Sequence, residues 1–100
     1  LIHYWYASCF DDIDNKEMIR NIDTPEHVII RCKRIGITDV SMIDSKYIIN
    51  GIVQKISQNS DIKNILAMTR GYTLVYDGFG YLAEDNRYGK LIMKLREKML

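Results

Sequence analysis

The chain's 100 residues are 47% apolar and carry 14 Lys or Arg against 13 Asp or Glu. That suffices for one hydrophobic core, excludes a disordered chain, and leaves no apolar run near the ~20 residues of a membrane span. A net charge of +1 gives no global pull toward nucleic acid or an anionic membrane, and it argues against nucleic acid as the partner.

The expectation is a single domain over residues 1–100, opening on Leu1 rather than Met and therefore a fragment or processed part of a longer chain. Two cysteines and two histidines make neither a disulfide framework nor a zinc spacing. No metal or cofactor is implied, and the sequence contains no repeat or Gly/Ser linker.

In chain order, Leu1 to Ser8 reads as an aromatic-rich, buried strand. Cys9 follows it. Asp11, Asp12 and Asp14 crowd what reads as the next helix start, where carboxylates meet unpaired N–H groups. A thiol at such a junction is favoured as thiolate, the reactive form, although a free cysteine is more often a packing residue. Phe10, Ile13, Met18 and Ile22 recur at helical spacing, ending near Asn21–Asp23.

His27 to Cys32 is ambiguous. Its β-branched run suits a buried parallel strand, the preferred reading, while Thr24-Pro25-Glu26 is a good helix start. Arg31, Lys33 and Arg34 form a small basic cluster, read as a solvated surface. Gly36 to Asp39 reads as a turn and Met42 to Ile56 as a helix, which Gly51 weakens. Asn59, Ser60 and Asp61 offer caps for a helix over Ile62 to Met68, which Gly71 would end.

Tyr72 to Tyr76 and Tyr81 to Glu84 flank Asp77-Gly78-Phe79-Gly80, a pattern that predicts a β-hairpin. Asn86 caps a terminal helix with Tyr88, Leu91, Ile92, Leu95 and Met99 on one face. Lys90, Lys94, Arg96 and Lys98 cover the other.

The order strand, Cys, helix, strand, helices, hairpin, helix resembles the thioredoxin-like fold, in particular the extracytoplasmic thiol–disulfide oxidoreductases. The matching residues are Tyr4-Trp5-Tyr6-Ala7-Ser8-Cys9, Thr73 to Asp77 with Tyr81-Leu82-Ala83, and Gly89-Lys90-Leu91 with Leu95. The resemblance implies an α/β domain with a central mixed sheet, helices on both faces and a C-terminal β-hairpin plus helix. It implies Cys9 as candidate nucleophile, a substrate groove at Trp5, Phe10, Tyr72 and Thr73, an extracytoplasmic location, and a protein or small-molecule thiol or disulfide as partner.

Two positions depart from that pattern. The family's C-x-x-C reads Cys9-Phe10-Asp11-Asp12, so Asp12 stands where the resolving thiol would be, and it cannot attack sulfur. Tyr72 stands where the family has a cis-proline, so that bond is expected to be trans. The expectation is therefore a divergent member, either a binding or structural module or a single-thiol redox protein. The alternative is a helix-turn-helix or winged-helix nucleic-acid-binding module. It would use residues 25–57, with the 72–84 hairpin as wing; its recognition helix carries only two cations, fewer than a phosphate-tracking surface usually needs.

Overall fold

The computed structural model describes residues 1–78 and 80–100 and contains six α-helices. They are α1 (Ile2–Ala7), α2 (Ile13–Arg20), α3 (Pro25–Arg34), α4 (Ser45–Gln58), α5 (Ser60–Met68) and α6 (Arg87–Met99). Short 3₁₀ turns lie at Val40–Met42 and Glu84–Asn86. There is no strand among the described residues, so the thioredoxin-like α/β fold is overturned, and the expected sheet with it. The chain divides into two compact units, Leu1–Ile52 and Val53–Leu100, with the boundary inside α4.

The largest correction is at the start. Leu1 to Ser8 is not a strand; residues 2–7 form a helix. A short apolar run does not distinguish a buried strand from a buried helix, and here packing decides. Trp5, Tyr6 and Ala7 are all buried, and α1 packs on both α2 and α3. A helix enclosed on most sides has no need of a polar face. The Trp5 indole N–H donates to the Ile48 carbonyl at 3.3 Å, and the Tyr4 hydroxyl accepts from Asn50 Nδ2 at 2.9 Å. The end of α1 is closed by side chains. Ser8 donates to the Trp5 carbonyl and Lys16 Nζ to the Ala7 carbonyl.

His27 to Cys32 is helical as well. Thr24 caps α3, its Oγ1 accepting from the His27 N–H at 3.2 Å, and Pro25 occupies the first turn. Val28 and Cys32, four residues apart, are fully buried, while Ile30 faces out. The β-branched run therefore serves one helix face, and its strand propensity is overridden by that spacing. Asp12 caps α2, which ends at Arg20, just short of the expected Asn21–Asp23. Ile19, Ile43, Ile48 and Ile52 complete the core of the first unit.

Gly51 does not break α4. A Cβ there would meet Trp5 Nε1 and Tyr4 Cδ1 at 2.9 Å, so the glycine is the space into which the α1 aromatics fit.

In the second unit, Asn59 precedes α5 and α6 starts after Asn86, but neither side chain makes the expected capping hydrogen bond. The hairpin is absent. Tyr72 to Gly78 and Tyr81 to Glu84 form no ladder, and Phe79 of the expected turn lies outside the described residues. What takes the place of a partner strand is Asn86, whose side chain bonds the Leu74 carbonyl and the Tyr76 N–H, each at 2.8 Å. Arg96 is also displaced from the solvated face on which its spacing put it. It is buried, and Nη1 donates to the carbonyls of Thr69 and Tyr72 at 2.8 and 3.0 Å. It ties α6 to the turn that ends α5.

Two substitutions test this packing. Gly51→Ala gains ~1 kcal/mol of helix propensity but overpacks a filled site at a cost of about 1–3 kcal/mol, and a net loss of up to about 2 kcal/mol is expected in urea unfolding. Arg96→Met removes charged hydrogen bonds worth ~1.5–3 kcal/mol in similar settings. It is expected to destabilise the chain and to raise hydrogen exchange at Thr69–Tyr72.

Candidate functional site

Cys9 lies two residues beyond α1, and its N–H bonds the Tyr6 carbonyl at 3.2 Å. It therefore sits after a helix end, not at the strand-to-helix junction that would favour a thiolate. It is exposed and unbridged, and it borders an open hollow of ≈ 350 Å³ with Ser8, Ile37, Met42, Asp44 and Tyr47. Although the residue is exposed, partial desolvation of the thiol by its neighbours pushes its pKa above the ordinary value, against weaker opposing pulls from Ser8 and Lys16. Cys32 is buried, and desolvation, then Cys9, raises its pKa in turn.

Asp12 is a cap. Its carboxylate accepts from the Asn15 N–H at 3.1 Å and Asn15 Nδ2 at 2.8 Å. Those two bonds hold its pKa below the usual carboxylate range. The expected groove residues do not make a groove of the thioredoxin kind, because that fold is absent. Trp5 is core and Phe10 half-buried in the first unit, while Tyr72 and Thr73 are exposed in the second. The single-thiol oxidoreductase reading falls with the fold that implied it. Among the described residues, no three His, Cys, Asp or Glu side chains gather as a metal site. No helix among them is long and apolar enough to cross a membrane.

Two cationic features remain. On α3, His27, Arg31 and Arg34 fall at i, i+4 and i+7, and with Ile22 and Ile30 they line a cleft of ≈ 230 Å³. Arg31 is held there by a contact from Nη2 to Met18 Sδ at 3.4 Å. The basic cluster was legible in the sequence, but Lys33 does not line the cleft and His27 does.

On α6, Arg87, Lys90, Lys94 and Lys98 are all exposed and fall within an arc of about 80° at 100° per residue. Arg87 is engaged locally, with Glu84 at 3.7 Å and the Tyr81 ring at 4.4 Å. The three lysines have no ion-pair partner among the described residues. Leu95 is buried, and Leu91, Ile92 and Met99 are half-buried. Arg87 was missed from sequence because the expected stripe was counted only from Lys90. Its i, i+3, i+7, i+11 spacing with the lysines was the available signal.

Comparisons with family models, curated proteins and solved structures find no match to this chain.

Alkylation of Cys9 in the native chain, located by mass spectrometry, is expected to be slow at neutral pH. Its rate should keep rising as pH passes the ordinary thiol value of ~8.5. Fast labelling that levels off below that value would contradict the desolvated setting.

Proposed function

We propose that this chain is a helical nucleic-acid-binding module that grips the phosphate backbone through the cationic face of α6. The helical half of the alternative reading is retained and its details change. The wing is gone, since residues 72–84 carry no strand among those described. The contact helix is α6 instead of α4. Helices α3 and α4 are separated by residues 35–44, which include a 3₁₀ turn. This is longer than the 3–4-residue turn of a helix-turn-helix.

The near-neutral total charge also gives way as an argument against nucleic acid. Residues 1–52 carry six Lys or Arg against eight Asp or Glu, and residues 53–100 carry eight against five. The whole-chain value averages an acidic unit with a basic one, and binding responds to the local potential.

The observation that carries the proposal is the line from Arg87 to Lys98. At 1.5 Å rise per residue it runs ~16 Å, the length of about five phosphates of one DNA strand. Three of its four cations have no carboxylate partner to leave among the described residues. An anionic membrane fits less well, because the apolar side of α6 is turned into the protein and is not available for insertion.

Fluorescence anisotropy of a labelled duplex, titrated with the full chain at several salt concentrations, tests this. Log affinity is expected to fall with log salt at a slope of about −3. Lys90→Gln, Lys94→Gln and Lys98→Gln together should weaken binding at low salt by roughly tenfold or more and flatten the slope by 2–3 units. Lys33→Gln should leave both nearly unchanged. Absence of binding at low salt, or a triple variant that binds like the native chain, would overturn the proposal.

A further inference from the structure

We infer that residues 72–76 form an open strand edge through which two copies of this chain pair antiparallel. The inference stands apart from the nucleic-acid reading and uses different residues.

The bonds along this segment alternate. The Tyr72 carbonyl accepts from Arg96 Nη1 at 3.0 Å, and the Leu74 N–H contacts Met93 Sδ at 3.3 Å. The Leu74 carbonyl and the Tyr76 N–H both bond the Asn86 side chain. Residues 72, 74 and 76 thus turn their backbone groups to the protein. Thr73 and Val75 have no hydrogen bond to any described residue and are exposed. A period of two is that of an extended strand. One edge is satisfied by side chains standing in for a neighbouring strand, and the other edge is unpaired. Such an edge is a template for another strand.

The occupant is indicated by the sequence of the edge itself. Around Leu74 the chain reads Arg-Gly-Tyr-Thr-Leu-Val-Tyr-Asp-Gly, from Arg70 to Gly78, which is nearly palindromic in chemistry. Antiparallel pairing about a two-fold axis at Leu74 sets Thr73 against Val75 of the second copy. Those are the residues with free backbone groups, so four interchain hydrogen bonds form without disturbing the inward ones. The same register sets Tyr72 against Tyr76 of the second copy, twice, an aromatic cross-strand pair of the kind that stabilises sheets. It also brings Asp77 of each copy beside the Gly71–Arg70 end of the other. Arg70 and Asp77 are exposed and without an ion-pair partner among the described residues. Tyr72 and Val75 are 69% and 73% exposed, and pairing would cover them.

This is an isologous interface. Five residues per copy bury less than the ~1,200 Å² of a stable complex, so the dimer is weak and appears only at high concentration.

Sedimentation of the full chain between about 10 µM and about 1 mM is expected to show the average mass rising from 11.7 kDa toward twice that value. In an equal mixture of isotopically labelled and unlabelled chains, filtered NOEs should join Thr73 to Val75 across copies. Thr73→Lys with Val75→Lys sets like charges opposite each other and should hold the chain monomeric, with an unchanged helical circular dichroism spectrum. Arg70→Glu alone should weaken the dimer, and adding Asp77→Lys should restore it. A chain that stays monomeric throughout would overturn the inference, as would a dimer indifferent to the double lysine variant. So would a monomer whose Thr73 and Val75 amides shift only on adding an unrelated β-forming peptide, which would assign the edge to a different partner.

Discussion

The Trp5 ring lies 2% exposed with its indole N–H on the Ile48 carbonyl, in a space that exists because residue 51 is glycine. The first unit depends on this contact. Helix α1 is only six residues long, too short to persist by itself in water, so its stability comes from enclosure. It packs on α2 and α3, its end is closed by Ser8 and Lys16, and His3 Nε2 bonds the Ile22 carbonyl at 2.7 Å. Enclosure also explains the composition of the run. Apolar side chains on successive residues, which read as a two-sided strand, are here the several sides of one buried helix turn.

The elements with caps and an amphipathic period were legible from sequence. Helices α2, α5 and α6 lie close to where their periodicity places them, although of Asp12, Asn59 and Asn86 only Asp12 caps with its side chain, and α4 runs through Gly51. What misled were two short β-rich runs and one turn motif. Val28-Ile29-Ile30 has strand propensity, but Val28 and Cys32 share a buried helical face and Thr24 with Pro25 starts that helix. Tyr72 to Tyr76 has strand propensity and an Asp-Gly turn behind it, but no partner strand forms. Asn86 and Arg96 take up its backbone instead, and such long-range side-chain capping leaves no local signature. The thioredoxin-like resemblance rested on those two ambiguous segments and on the aromatic run, so it fell when all three resolved against a sheet.

Sequence located the cations of α6 but not their division of labour. Arg96 lies between Lys94 and Lys98 in sequence and reads as part of the same solvated face. Two residues along a helix turn the direction by about 200°, and Arg96 points inward to Thr69 and Tyr72 while the lysines remain outside. A single guanidinium nitrogen, Nη1, carries both bonds, and its charge makes them stronger than neutral ones. The result is one helix with two uses of positive charge, a buried tie that fixes the turn after α5 and an exposed line free to meet an anion. The whole-chain charge hid that line, since the acidic residues are concentrated in Leu1–Ile52.

The central claim is that the aromatic opening run is a buried helix, from which the all-helical architecture of the first unit follows. Backbone chemical shifts of Ile2–Ala7 in the intact chain test it most directly. Helical shifts across all six residues, with slow exchange at the Trp5 amide, are the result this account predicts. Strand shifts there, with exchange protection alternating from residue to residue, would contradict it and return the chain to a sheet-containing fold.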